Sequence, residues 1–173
     1  MPRTSTFLVA LAFAAASYAR DLPDPKLTPG ATNPQVTQNN IKANICKKGW
    51  TKTVRPPVQF TASLKVKQIA EYHYTDTNPA HYEEDHLISL ELGGAPKNEK
   101  NLWPQPRSGR WTAKMKDDLE NVLNKRLCSG EMTLAVAQKA IRTDWVAAYK
   151  KYVIPVAKTK KGPTSERKKL YGQ

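Results

Sequence analysis

The sequence predicts an α+β fold, in which a short β-hairpin and the helix after it are embedded in a mainly helical single domain. Three observations support this fold class. The length of 173 residues suits one domain of ordinary size. A stretch rich in branched apolar residues, 82–92, is followed by a Gly-Gly loop and a second short apolar piece, as in a hairpin. Apolar residues then recur at helical spacing over 111–127 and 134–149.

The N-terminal segment 1–19 has the pattern of a secretory signal peptide. Arg3 precedes the apolar run 7–16, and the small residues Ser17 and Ala19 stand where a signal peptidase reads the chain. We therefore expect cleavage near Ala19 and a secreted or periplasmic protein. A buried N-terminal helix is the alternative, but the segment lacks the polar face of such a helix. No apolar run reaches the roughly 18–20 residues that cross a bilayer, which excludes an integral helical membrane protein.

Two further stretches flank the predicted domain. Four prolines and Gly30 indicate an extended linker over 20–34. The tail 158–173 carries six basic residues and one acid, which is typical of a disordered, solvated segment. A tether for nucleic acid or cell wall is the functional alternative for this tail. The folded domain is therefore expected to span 35–157.

Three short elements are expected before the hairpin. Thr37 can cap a short helix, and Thr61 can cap a longer one. Between them, 50–54 has the character of an extended piece that Pro56 and Pro57 stop.

The hairpin is predicted from the alternation of side chains along 82–92. His86 and every second residue after it are expected to face the core, and Asp85 has the opposite parity. A loop then leads to a return strand at 101–103, which the two prolines that follow should stop.

Two helices should complete the domain. Gly130 is placed to close the first, and Thr133 can cap the second. Their apolar stripes are most simply explained as core.

The predicted export bears on the redox state of the two cysteines, Cys46 and Cys128. An even count in an exported protein suggests a disulfide. It would close a loop of roughly 80 residues, worth about 4 kcal/mol in the chain-entropy model. Two unpaired buried thiols are the alternative.

The charge balance indicates a negatively charged partner. Lys and Arg number 28 against 15 Asp and Glu, a formal net charge of +13. Nucleic acid, an anionic membrane or cell wall, and an acidic protein all suit this excess, and charge alone does not choose among them.

Two histidines near the hairpin suggest a zinc protease, but their spacing excludes it. Zinc-binding helices place two His four residues apart on one face, but His81 and His86 are five apart. That spacing separates them by about 140° on a helix and puts them on opposite faces of a strand.

A different motif begins one residue before the second of these histidines. The segment from Asp85 to Leu102 contains Asp-His, a Gly-Gly loop and Asn-Leu, in that order, before a helix. It resembles the HNH family of ββα-metal nucleases over about 35 residues, 84–118. The resemblance implies a small ββα-metal core of hairpin plus helix. It also implies that His86 is the general base for water, that Asn101 orients the His86 ring, and that Asp85 binds one divalent cation, Mg²⁺ or Mn²⁺.

The sequence departs from this family at the helix. Such helices usually present a His or Asn as the second metal ligand, whereas 108–116 offers basic residues. Either a later residue such as Asp117 completes the metal site, or Lys114 or Arg110 supplies positive charge directly.

Basic residues after the hairpin are expected to contact the phosphates that flank the scissile bond. These candidates are Arg107, Arg110, Lys114 and Lys116. A solvated helix face is the alternative for each of them. Nothing indicates readout of base edges, so we expect little sequence specificity.

Two hypotheses therefore follow from the sequence. The first is an exported, largely non-specific HNH-like endonuclease that hydrolyses phosphodiester bonds, with DNA expected ahead of RNA. The second is a non-catalytic cationic module that binds nucleic acid or an anionic cell wall. The Asp-His and Asn-Leu pairs favour the first, and the altered helix favours the second.

Overall fold

The computed structural model describes residues 22–155, and it confirms a mainly helical α+β domain with one small antiparallel sheet. The predicted signal peptide 1–19 and basic tail 158–173 lie outside the described residues. The α-helices are α1 (Trp50–Val54), α2 (Val58–Glu71), α3 (Ala113–Ser129) and α4 (Leu134–Tyr152), and the strands are β1 (Tyr82–His86) and β2 (Leu102–Pro106). Short 3-10 helices occupy Gln38–Ala43, Pro79–His81, Leu90–Leu92 and Glu99–Asn101.

Strands β1 and β2 pair with Asp85 opposite Trp103 and His86 opposite Leu102. The prediction that two prolines stop the return strand was wrong, because β2 runs through Pro104 to Pro106. The hydrogen bonds between the two strands involve odd-numbered residues, as the bond from Leu87 N to Asn101 O at the end of the ladder indicates. The missing N–H of each proline therefore falls on the outer side of a two-stranded sheet, where it removes no ladder bond.

The first strand is also shorter than predicted. It ends at His86, and the chain then turns through a 3-10 helix at Leu90–Leu92 instead of continuing as a strand. The reason is Asn101, whose side chain takes up both backbone groups of Ile88 in place of a partner strand. The alternating apolar residues at 88–92 therefore belong to a packed turn, which places Ile88 and Leu92 in the core.

Helices α3 and α4 pack against each other and build the larger core with Ile88 and Leu92. A smaller cluster of Ile69, Tyr74 and Tyr82 joins α2 to β1. Glycine at 130 ends α3 in the left-handed conformation, and Thr133 caps α4, both as predicted. The hairpin is thus held between α2 on one face and α3 on the other.

The interpretation of 20–34 as a linker needs correction for its described part. From Leu22 onward this segment is docked on the fold, and its backbone pairs with the loop that joins β1 to β2. Gly30 N donates to Lys100 O at 2.9 Å, and Ala95 N donates to Ala31 O at 2.9 Å. An extended, proline-containing chain leaves its backbone groups free for such pairing, so the composition of a linker also suits a docked strap.

Two predictions before the hairpin were also wrong. Residues 50–54 form helix α1 and not an extended piece, because Gly49, with φ of 85°, reverses the chain ahead of it. Helix α2 begins at Val58, directly after Pro57, so Thr61 lies inside it and its hydroxyl bonds to the Val58 carbonyl. The predicted cap at Thr37 is present on the 3-10 helix Gln38–Ala43.

The predicted disulfide between Cys46 and Cys128 is present and ties the segment before α1 to the end of α3. Among residues 22–155, no helix is both long enough and apolar enough to span a membrane.

Candidate functional site

The end of β1 presents its side chains to two different faces. Successive strand residues alternate, so Asp85 points toward α3, where its carboxylate meets Lys116. His86 shares its parity with Glu84 and with Tyr82, which packs against Ile69 of α2. The Asp-His pair therefore divides between two environments.

Lys116 of α3 lies at the centre of the site on the hairpin face that points toward α3, here called the α3 face. Its side chain is fully buried, and its ammonium donates to Asp85 Oδ2 at 2.6 Å, to His86 O at 2.7 Å and to Glu120 Oε1 at 2.5 Å. The prediction that Lys116 contacts phosphates was therefore wrong, because none of its side chain is exposed to solvent. All three ammonium protons already have protein acceptors.

Burial and ion pairing act in opposite directions in this cluster. Burial favours the neutral form of Lys116, but the carboxylates of Asp85 and Glu120 outweigh it and hold the pKa of Lys116 above its ordinary value. Burial raises the pKa of the Glu120 carboxyl, and the Lys116 ammonium opposes that rise. One ammonium faces two carboxylates, so the ionised cluster carries a net negative charge.

The residues present do not fit the divalent cation that the HNH resemblance implies. One carboxylate oxygen each of Asp85 and of Glu120 on α3 is bound to the Lys116 ammonium, which occupies the space between them. Within the described part of the chain, no group of three or more His, Cys, Asp or Glu side chains is placed to hold a metal ion. Asp117, the predicted second ligand, is an exposed residue of α3, but partial desolvation of its carboxyl and the charge of Asp85 raise the pKa of that group.

The His86 ring is held by a hydrogen bond between its Nε2 and the carbonyl oxygen of Pro96, at 2.9 Å. A carbonyl only accepts, so Nε2 carries the proton and the lone pair of the neutral ring is on Nδ1. Burial lowers the pKa of His86, and the positive charges of Lys116 and Arg55 lower it further, while the hydrogen bond to Pro96 and the charge of Asp85 oppose them. The ring is therefore neutral at pH 7, as expected for a residue that is only 5% exposed.

Asn101 makes no hydrogen bond with the His86 ring, so its predicted role needs correction. Its Oδ1 accepts from Ile88 N at 3.0 Å, and its Nδ2 donates to Ile88 O at 3.0 Å and to Ala95 O at 3.2 Å. Ala95 immediately precedes Pro96, whose carbonyl holds the imidazole. Asn101 therefore shapes the loop that orients His86, and acts on the ring only through that loop.

Gly94 makes this loop possible. A Cβ at this position would lie 1.7 Å from the carbonyl oxygen of Ile88 and 2.8 Å from Asn101 Nδ2. Neither neighbour is the free end of a flexible side chain, so only glycine allows the backbone to approach this closely.

Glu84 lies on the His86 side of the hairpin and is poorly accommodated. Both of its carboxylate oxygens are buried without a hydrogen-bond partner. Burial, and to a smaller extent the charge of Asp85, raises the pKa of Glu84 to about 8, against an opposing effect of Lys65. A buried carboxyl in this condition binds a proton over much of the neutral range.

The other predicted phosphate contacts are at the surface. Arg110 and Lys114 are exposed, and the Arg110 guanidinium lies 5.9 Å from the ring centre of Trp111. Arg107 is half exposed but is already paired with Glu83 at 2.9 Å. The first two are therefore better placed than Arg107 to meet a phosphate.

Two residues of the site were missed by sequence reasoning. Glu120 stands four positions after Lys116, the spacing of neighbours on a helix face, and this signal could have found the pair. Arg55 is brought near His86 only by the fold, since more than 30 positions separate them in the chain.

Comparison of the chain with protein-family models, with curated proteins and with solved structures gives no match. The assignment of function therefore depends on the geometry of the site.

Proposed function

We propose that this chain is an exported HNH-like endonuclease of low sequence specificity, which hydrolyses phosphodiester bonds with His86 as general base. DNA is the expected substrate ahead of RNA. The disulfide between Cys46 and Cys128 supports export, because such bonds persist in oxidising compartments.

The hydrogen bond from His86 Nε2 to Pro96 O is the observation that carries the proposal. It fixes the tautomer with a free lone pair on Nδ1, which is the form that a general base requires. In the reaction, Nδ1 takes a proton from water as the water oxygen bonds to phosphorus. The bond to the leaving oxygen breaks, and that oxygen is protonated by solvent.

Positive charge near the base supports binding of a phosphate. Arg55 is close enough to influence His86, and Arg110 and Lys114 are exposed beside the hairpin. Contacts to phosphates carry no sequence information, which agrees with the expected low specificity.

Nicking of supercoiled plasmid by the oxidised chain tests the proposal. His86→Ala should abolish nicking, because no other group is assigned to activate water. His81→Ala is the matched control, since the His81 side chain is exposed and paired with Asp76 just before β1, and it should nick like the parent. Nicking that persists in His86→Ala would contradict the role of the base.

The near-complete burial of His86 favours a second candidate, a cationic module that binds nucleic acid without cleaving it. Salt dependence of DNA binding together with the absence of nicking under Mg²⁺, Mn²⁺ and EDTA would support that module over the nuclease.

A further inference from the structure

The ammonium of Lys116 is held in the way that proteins hold a bound cation. Its three acceptors are two carboxylate oxygens and one backbone carbonyl oxygen, from Asp85, Glu120 and His86. Oxygen ligands of these two kinds are the ones that hard divalent cations such as Mg²⁺ and Ca²⁺ prefer. The protein has therefore built the surroundings of a hard cation around its own side chain.

The position of this ammonium links α3 to the last two residues of β1. It fixes the carboxylate of Asp85, and it fixes the backbone of His86 through the carbonyl group. The side chains of Lys116, Asp85 and Glu120 are only 0%, 15% and 13% exposed, so solvent screens these contacts weakly. The end of β1 is thereby held from α3, while the Pro96 carbonyl holds the His86 ring.

We propose that Lys116 is an internal cation and a positioning residue, which holds Asp85 and the His86 carbonyl in the place where the HNH resemblance implies a divalent metal ion. The end of β1 then keeps its geometry without Mg²⁺ or Mn²⁺. The catalytic part of this inference rests on the proposed function, whereas the equivalence of ammonium and metal ion does not.

Thermal unfolding of the full oxidised chain, in EDTA and in millimolar MnCl₂, tests this equivalence. The parent chain should melt at the same temperature in both. Lys116→Ala removes the ammonium and leaves room for an ion, so it should melt roughly 10 °C lower in EDTA and regain part of that loss in MnCl₂. Lys114→Ala, on the same helix but exposed, is the matched control, and its melting temperature should be the same in EDTA and in MnCl₂.

The double variant Lys116→Ala with Asp85→Asn shows whether the ion binds where the ammonium was. It should lose the recovery in MnCl₂, because one carboxylate ligand is gone. Recovery that survives this change would overturn the inference. So would a Lys116→Ala chain that melts identically, or stays unfolded, in both buffers.

Plasmid nicking then separates this inference from the proposed function. Nicking by the parent should survive EDTA, and nicking by Lys116→Ala should require Mn²⁺. If EDTA abolishes nicking by the parent, Lys116 does not replace the metal ion, and the nuclease stands. If no variant nicks but the melting pattern holds, the nuclease fails and the internal cation stands.

Discussion

The two faces of the β-hairpin treat buried charge in opposite ways. On the face toward α3, the carboxylates of Asp85 and Glu120 meet the ammonium of Lys116, and every proton of that ammonium has an acceptor. On the face toward α2, both carboxylate oxygens of Glu84 are buried without a partner. The two carboxylates Glu84 and Asp85 are neighbours in sequence, so the difference arises entirely from what each strand face packs against.

This contrast teaches that burial alone does not decide what a charged group contributes. A satisfied ion cluster fixes geometry, and its loss leaves unpaired charges. An unsatisfied carboxyl destabilises the folded chain or takes up a proton. Removing a charge should therefore have opposite effects on the two faces.

The largest expected effect is on the α3 face. Lys116→Met keeps an aliphatic chain but leaves the Asp85 and Glu120 carboxyls buried without the ammonium, so that each must ionise unpaired or take up a proton. We expect a loss of about 3–5 kcal/mol in the free energy of unfolding, measured by urea denaturation at pH 7. Lys114→Met should change it by less than about 0.5 kcal/mol. Equal effects of the two substitutions would mean that the buried ion cluster stabilises the fold no more than an exposed lysine does.

The second-largest loss of stability is expected in the loop that joins β1 to β2. Asn101→Leu removes the bonds to Ile88 and Ala95 and leaves their backbone groups unpaired, at a cost of about 2–4 kcal/mol. Because the Pro96 carbonyl should shift with the loop, nicking should fall together with stability. A variant that is destabilised but nicks normally would show that the loop does not orient His86.

The α2 face should respond with the opposite sign. The folded pKa of Glu84, about 8, lies above its ordinary value of 4.5. Its contribution to stability is therefore complete below pH 4.5 and is lost as the pH rises toward 8, by at most about 1.4 kcal/mol per pH unit. Glu84→Gln should raise stability by about 2 kcal/mol at pH 8 and by much less at pH 5, in urea titrations.

Glu99→Gln is the control for this pH dependence, because Glu99 is exposed and paired with Lys67. Its denaturation curves should follow the parent at both pH values. Glu84→Gln curves that run parallel to the parent from pH 5 to 8 would contradict the raised pKa.

The smallest effect should come from the rim of the α3 face. Arg107 and Glu83 form an ion pair at 2.9 Å, but the two side chains are 54% and 36% exposed. Arg107→Ala should cost less than about 1 kcal/mol, and added salt should reduce that cost further. A loss as large as that of Lys116→Met would mean that burial does not separate the two pairs.

Local patterns gave much of the fold in advance. Periodicity located α3 and α4, cap residues located their ends, and two cysteines sufficed for the disulfide. Sequence reasoning failed where distant segments supply hydrogen bonds. The strap at 22–34 and the turn after His86 depend on partners across the fold, which no local pattern reveals.

The candidate site shows the same limit more sharply. Asp85, His86 and Asn101 were identified, but the role of Asn101 depends on a loop geometry that its spacing does not encode. Lys116 was expected at the surface because lysines are rarely buried without a partner, and that partner could not be seen in sequence. Its i,i+4 neighbour Glu120 was visible, but only the approach of β1 turns that pair into a closed cluster.

The docked strap has a consequence for the order of folding. Thr28 donates its hydroxyl to the carbonyl of Leu102, a contact that spans 74 positions, and Gly30 and Ala31 pair with the same region. A contact between residues so far apart in sequence closes only after the hairpin exists. The loop that orients His86 should therefore be among the last parts of the chain to fold. A chain that emerges N-terminus first must therefore hold its strap unpaired until nearly the whole hairpin has followed.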